Sequence, residues 1–166
     1  MIIVTGGAGF IGSAFVWKLN RSGITNVIIV DNLNTSEKWS NLLNLRFEDY
    51  IHKDKFIKII AESKFADKIE SLIHMGACSS TTESNLDYLM ENNYLYTKTL
   101  AEWCLRKKTK FLYASSAATY GDGTNGFSDD DKDTVRLKPI NRYGYSKHLF
   151  DLWAINHGVM RKITGF

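Results

Sequence analysis

A doubly wound parallel α/β sheet, three layers deep, is the fold that this chain of 166 residues predicts. Three observations point to it. The chain opens with the apolar run Met1-Ile2-Ile3-Val4-Thr5, which passes directly into glycines at 6, 9 and 12. Apolar runs of strand length then alternate with stretches of helical periodicity as far as the C-terminus, the pattern of βαβ units. The second apolar run, Val27-Ile28-Ile29-Val30, ends on an acid, Asp31. Together these define a mononucleotide-binding turn of the Rossmann kind.

The elements follow in order. Residues 2–5 read as a buried parallel strand, because β-branched residues without polar alternation suit a strand covered on both faces. Gly6 permits the turn, Gly9 lets a pyrophosphate approach the backbone, and Gly12 lets the next helix pack on the strand. The spacing Gly-x-x-Gly-x-x-Gly is one residue longer than GxGxxG, with the same mechanics. Ser13–Arg21 reads as a helix with Phe15, Val16 and Leu19 inward, and its N-terminus offers free N–H groups to phosphates. Asp31, about 20 residues past the glycines, is placed to hold an adenosine ribose. An acid there repels a 2′-phosphate and favours NAD. Asn32 follows it, however, and Lys38 and Lys53 lie within reach, either able to neutralise a 2′-phosphate. The residues alone leave NAD and NADP open.

Lys53 to Phe65 reads as a helix with Phe56, Ile59 and Ile60 inward, and Ser71–His74 as a short buried strand. The small residues after it, Met75-Gly76-Ala77-Cys78-Ser79, let a cofactor lie close to the backbone. Asn85 to Arg106 is predicted as one long helix, with Leu89, Tyr96, Leu100 and Trp103 at helical spacing and Asn92 and Asn93 as polar residues in its middle. Lys110–Ala114 is a fourth strand. It runs into Ser115-Ser116-Ala117-Ala118-Thr119, a carboxyl strand end whose hydroxyls are placed to orient a substrate alcohol or carbonyl. Gly121–Lys138 is polar and aperiodic and reads as a surface loop closed by Pro139. A helix then carries Tyr143 and Lys147 as far as about His157. Lys162–Phe166 reads as the start of a fifth strand. The expectation is a single dinucleotide-binding domain over 1–166, its sheet cut at that strand, with no substrate-binding lobe after it. The chain is then an amino-terminal piece of a longer protein, or a truncated homologue.

Composition excludes several classes. The net charge of +3 is small, and the Arg106–Lys110 cluster ends a helix, where cations suit the dipole. No nucleic-acid patch is expected. Cys78 and Cys104 form neither a metal-ligand spacing nor a disulfide framework. No run approaches membrane-spanning length, and the N-terminus enters the first strand without a signal-like segment. A cytosolic protein with free thiols and no metal is expected.

Tyr143 and Lys147 stand one helical turn apart, so their Cβ atoms lie about 5–6 Å apart on one face. A tyrosine serves as a base near neutral pH only if its phenolate gains about 4 kcal/mol of preferential stabilisation. A neighbouring ammonium supplies part of that, and a positively charged nicotinamide ring would supply more. Alone, the pair is also what a solvated helix carries by chance. The glycine turn, Asp31 and the serine-bearing strand end give it a context.

These motifs together resemble the extended short-chain dehydrogenase/reductase family: Thr5–Gly12, Asp31, Ser115-Ser116 and Tyr143-x-x-x-Lys147. Residues 1–13, Gly76–Glu83, Asn92-Asn93-Tyr94 and Phe111–Gly121 carry a narrower likeness, to that family's epimerases of nucleotide-linked heptoses. Cys78-Ser79-Ser80-Thr81-Thr82-Glu83 is the most discriminating stretch. The resemblance covers nearly all of the chain and about half of a typical member. It implies NADP as cofactor, with NAD less favoured. Phe10 and Ile11 would lie at the pyrophosphate, and Asp31, Asn32, Lys38 and Lys53 at the adenosine end. Met75, Gly76, Ala77, Cys78, Ser79 and Asn92 would flank the cofactor, which Lys147 would also touch. Ser116, Tyr143 and Lys147 would form the catalytic group. It implies a nucleotide-sugar substrate, transient oxidation and re-reduction with inversion, a homo-oligomer, and supply of heptose to the lipopolysaccharide inner core. Two departures stand out. The family's second acid/base lysine and most of its substrate contacts belong to a carboxyl-terminal half. Met75 occupies a position where a more polar residue is common.

Two other readings stay open. One is a 4-epimerase or dehydratase of the same fold, although a dehydratase would favour an acid near residues 116–120, where this chain has Ser116-Ala117-Ala118-Thr119. The other is a dinucleotide-binding module without catalysis.

Overall fold

A computed structural model describes residues 1–62 and 69–159, and the backbone of 163–165. In chain order the elements are β1 (Ile2–Thr5), α1 (Phe10–Arg21), β2 (Val27–Asp31), β3 (Asp49–His52), α2 (Lys53–Ala61) and β4 (Ser71–His74). They continue with α3 (Leu86–Leu89), α4 (Tyr96–Lys107), β5 (Lys110–Tyr113), α5 (Asp131–Thr134), α6 (Arg142–Asn156) and β6 (Ile163–Gly165). The chain falls into two compact units, Met1–Gly76 with Glu102–Leu112, and Ala77–Ala101 with Tyr113–Phe166.

The first unit is a sheet in the order β3-β2-β1-β4-β5 with flanking helices. β1 pairs in parallel with β2 and with β4, and β2 with β3; Ile2 stands opposite Val27 on one side and Ser71 on the other. Every residue of β2 and β4 is buried, β2 as its apolar run predicts and β4 with polar Ser71 and His74 at its ends. Val4, Val27, Ile29 and Ile73 form a core with Val16 of α1, and Phe15 and Leu19 pack against it. Each such side chain contributes about 1.5–3 kcal/mol by leaving water.

β3 is the strand that periodicity misses. Asp49-Tyr50-Ile51-His52 buries Ile51 alone and has no apolar run; its extended form comes from pairing with β2. The strand at 163–165 is therefore the sixth, not the fifth, and residues 162 and 166 of that expectation lie outside the described residues. α2 starts where expected. It is described to Ala61, and the last residues of the expected helix, 63–65, lie outside the described residues.

The single helix expected over 85–106 is interrupted. α3 is capped by the Asn85 side chain, which accepts from the Tyr88 N–H. A π-helical stretch, Met90–Leu95, precedes α4. One wide turn re-aims the residues before it relative to those after it, and such bulges recur at functional sites.

In the second unit α6 is capped by Asn141, whose side chain accepts from the Gly144 N–H at 2.7 Å. Its buried face is unusual: Gly144, Ser146, Lys147, His148, Phe150, Asp151 and Ala154. Four of these are polar or ionisable, so this helix does not enter the core on apolar periodicity. The expected loop contains α5, because Asp130 caps it by accepting from the Lys132 N–H and Asp131 suits its N-terminus.

Candidate active site

The glycine turn of the first unit is shaped by contacts that tolerate no side chain. A Cβ on Gly6, whose φ is +69°, would lie 2.5 Å from the Gly76 nitrogen, and one on Gly12 would lie 2.1 Å from the Gly6 oxygen. Gly6 thus lets the ends of β1 and β4 meet, and the Met75 N–H donates to the Thr5 carbonyl at 2.9 Å. Gly9 donates to the Gly6 carbonyl and precedes the first turn of α1, where Phe10 and Ile11 are 86% and 62% exposed. That turn holds no acidic residue, so its dipole and N–H groups stay available to an anion.

Asp31 is buried and tied down. Its carboxylate accepts from the Ala8 N–H at 2.9 Å, the Asn32 N–H at 2.7 Å and the Lys38 ammonium at 2.7 Å. The acid expected to hold a ribose therefore also clamps the glycine turn to the end of β2. Lys38, expected within reach of this loop as a partner for a 2′-phosphate, forms an ion pair with Asp31. Lys53 pairs with its neighbour Asp54 at 3.4 Å, and the Asn32 side chain faces His52. Asn41, which sequence reasoning missed, donates to the Ala8 carbonyl at 2.9 Å from a segment without periodicity.

In the second unit the Ser116 turn and the Tyr143–Lys147 helix meet through a glycine. A Cβ on Gly144 would lie 2.5 Å from the Ala118 oxygen. Ser116 caps a 3₁₀ turn over Ala117–Tyr120, its hydroxyl accepting from the Ala118 N–H at 3.1 Å. Tyr143 is half-buried beside this turn's partner glycine, and Lys147 is buried. Burial pushes the Lys147 ammonium down to about 8, while the nearby Asp151 charge opposes that shift.

Two residues here were not anticipated. Asn93, not Asn92, is the buried asparagine of the π-helical stretch. Its side chain accepts from the Cys78 N–H at 2.8 Å and donates to the Cys78 carbonyl and the Ser146 hydroxyl, each at 3.0 Å. It fastens the Ala77-Cys78-Ser79 loop to α6. Asn92 turns its amide back to the Tyr88 carbonyl at 2.8 Å. The signal was the Asn-Asn doublet in mid-helix, which does not say which member points inward. Asp151 is the second, accepting from the Tyr113 hydroxyl at 2.6 Å and the Ser115 hydroxyl at 2.7 Å. Its signal was the spacing Lys147-x-x-x-Asp151. Also in this unit, Thr81, Thr82 and Glu83 of the discriminating stretch line a cavity of about 580 Å³ with Pro139, Asn141 and Arg142.

Fold and local geometry define a Rossmann-type α/β protein of the short-chain dehydrogenase/reductase kind. The chain belongs to the NAD dependent epimerase/dehydratase family, whose model matches residues 2–163. It is 58% identical over 158 residues to an ADP-L-glycero-D-manno-heptose-6-epimerase of Nitratidesulfovibrio vulgaris, a match covering 95% of this chain and 49% of that protein. The chain thus spans about half the length of this curated relative. Among solved structures it is similar to the Helicobacter pylori ADP-L-glycero-D-manno-heptose-6-epimerase, with TM-score 0.78, 27% identity, and coverage of 94% of this chain and 50% of that one. It is also similar to the UDP-glucuronic acid 4-epimerase of Bacillus cereus in complex with NAD, with TM-score 0.76, 26% identity, and coverage of 99% and 55%. No helix among the described residues is long and apolar enough to cross a membrane.

Proposed function

We propose that this chain is the amino-terminal, NADP-binding part of an ADP-L-glycero-D-manno-heptose 6-epimerase, residues 1–166 forming its dinucleotide-binding domain. It would convert ADP-D-glycero-D-manno-heptose to the L-glycero epimer. The observation that carries the reading is the contact of Gly144 with Ala118, which brings the Tyr143–Lys147 helix against the Ser116 turn. The 58% identity to a protein of that name supports the choice of sugar.

The residues present fit a dinucleotide. The Gly6–Gly12 cradle, which any Cβ at Gly6 or Gly12 would fill, suits a pyrophosphate. Asp31 suits the adenosine ribose, and Lys38, resting on Asp31, offers a cation to a 2′-phosphate, which supports NADP over NAD. Asn32 and Lys53 would complete that end, with Phe10 and Ile11 at the pyrophosphate. Met75, Gly76, Ala77, Cys78, Ser79 and Asn92 would line the remainder.

When bound, the cofactor supplies reversible hydride acceptance at the sixth carbon of the heptose. Tyr143 takes the hydroxyl proton as that carbon is oxidised and returns one when the opposite face is reduced. Lys147 stabilises the Tyr143 phenolate through its ammonium charge. Ser116 donates to the reacting oxygen and orients it. The inversion leaves no net redox change.

The test is to incubate the full-length protein with ADP-D-glycero-D-manno-heptose and either NADP or NAD, reading configuration by proton NMR. Conversion that is faster with NADP is expected. No change of configuration sinks the epimerase reading, and faster conversion with NAD sinks the cofactor choice. The same spectrum would expose inversion at the fourth carbon, or loss of water, as a 4-epimerase or dehydratase would give.

A further inference from the structure

Helix α6 buries three ionisable side chains: Lys147, His148 and Asp151, at 4%, 3% and 5% exposure. Lys147 and Asp151 stand one turn apart and so share a face. Both Asp151 oxygens are engaged, one by the Tyr113 hydroxyl at 2.6 Å and the other by the Ser115 hydroxyl at 2.7 Å. Two short O–H donors, one on each oxygen, are the pattern of an ionised carboxylate. Lys147 makes no hydrogen bond or ion pair of its own among the described residues, and Asp151 is the charge that acts on it. A buried ammonium is tolerated only with such a counter-charge.

We propose that Asp151 is a positioning residue. Its carboxylate, held by Tyr113 and Ser115, is the counter-charge that keeps Lys147 an ammonium, and the same two hydrogen bonds fasten the Ser115-Ser116 strand end to α6. What Lys147 is for rests on the epimerase reading; the charge relation does not.

The surrounding groups are consistent with this assignment. Burial holds the Asp151 carboxyl above its ordinary value, and the Tyr113 and Ser115 hydrogen bonds and the Lys147 and His148 charges oppose that rise. Burial pushes His148 below its ordinary value, and its Nδ1 is buried without a hydrogen-bond partner among the described residues. A neutral His148 leaves Lys147 as the cation that Asp151 faces. Tyr113 is raised by burial and by Asp151, with a smaller contribution from Asp131, so it stays a donor. Tyr120, raised by its bond to Asp129 and weakly by Asp151, likewise stays neutral.

The experiment follows the ¹³Cε resonance of Lys147 and the ¹³Cγ resonance of Asp151 against pH in labelled protein without substrate. In the wild type Lys147 should titrate near pH 8. In Asp151→Asn, which keeps an acceptor and loses the charge, the midpoint should fall by about one pH unit, a tenfold loss of proton affinity. An unmoved midpoint in the folded variant overturns the proposal. The wild type decides the matter even if the variant does not fold. An Asp151 resonance that is carboxylate at pH 7 and shifts as Lys147 titrates supports the proposal; a protonated Asp151 overturns it. Failure of the heptose assay with a moved Lys147 midpoint condemns the epimerase reading alone. An unmoved midpoint in an active epimerase condemns this inference alone.

Discussion

The glycine turn of the first unit and the buried face of α6 in the second are built in opposite ways. The turn is made of backbone: at Gly6 and Gly12 the facing backbone lies so close that side chains are excluded. The α6 face is made of side chains: Ser146, Lys147, His148 and Asp151 are buried, and Ser146 and Asp151 are held by partners distant in sequence. A backbone site breaks when an atom is added, whereas a side-chain site breaks when a charge or donor is removed. The first should fail as a fold, and the second as chemistry in a protein that still folds.

The sharpest contrast is Tyr143→Phe in the full-length protein. Turnover should fall about 10²–10⁴-fold, the usual worth of a general acid/base group, with little change in melting temperature. Activity that survives removes Tyr143 from the acid/base role. Next is Gly6→Val. It sets a branched side chain at positive φ against the Gly76 backbone and should cost about 3 kcal/mol or more in urea unfolding. Gly23, with φ +81° and nothing within 4 Å of a Cβ, is the control; Gly23→Ala should cost only about 1 kcal/mol. Equal losses at the two glycines would show that close approach does not govern the turn.

Asn93→Ala should cost about 2 kcal/mol, because the Cys78 N–H and carbonyl lose their partner. Asn92→Ala should cost less, and the reverse order would misplace the buried asparagine. The smallest effect is a pH dependence. Lys147 titrates near 8 when folded and near its ordinary 10.5 when unfolded, so below pH 8 both states hold the proton and the burial cost is fully present. Stability rises as pH climbs past 8, since the unfolded state then binds more protons. Cys104, pushed up to about 12 by burial from 9.0, acts in the opposite sense above pH 9, and Tyr113 joins it above 10. A gain of about 1 kcal/mol between pH 8 and 9 is expected in the wild type, and none in Lys147→Met.

Much of this was legible in the chain. β1 and β2 announce themselves as apolar runs and β4 as a short Leu72-Ile73 segment, and the glycine spacing, Asp31, Ser116 and the Tyr143/Lys147 pair follow from local chemistry. β3 was not legible, because Asp49-Tyr50-Ile51-His52 is a strand only by pairing with β2. The break at Met90–Leu95 was hidden as well, since the side-chain bonds of Asn93 run to Cys78 and Ser146, 15 and 53 residues away. Asp31 was read for a ligand and not for the Ala8 N–H it holds.

Residue order was enough to settle the class of fold, and it offered a glycine turn for a nucleotide and a pair of side chains for proton transfer. Each depends on neighbours within a turn or a strand, where spacing alone dictates which face a residue takes. Tertiary structure decided which asparagine is buried, that Gly144 admits the Ser116 turn, and that Asp151 binds Tyr113 and Ser115. Those choices depend on atoms brought together across 15 to 53 residues of chain, and no periodicity records them.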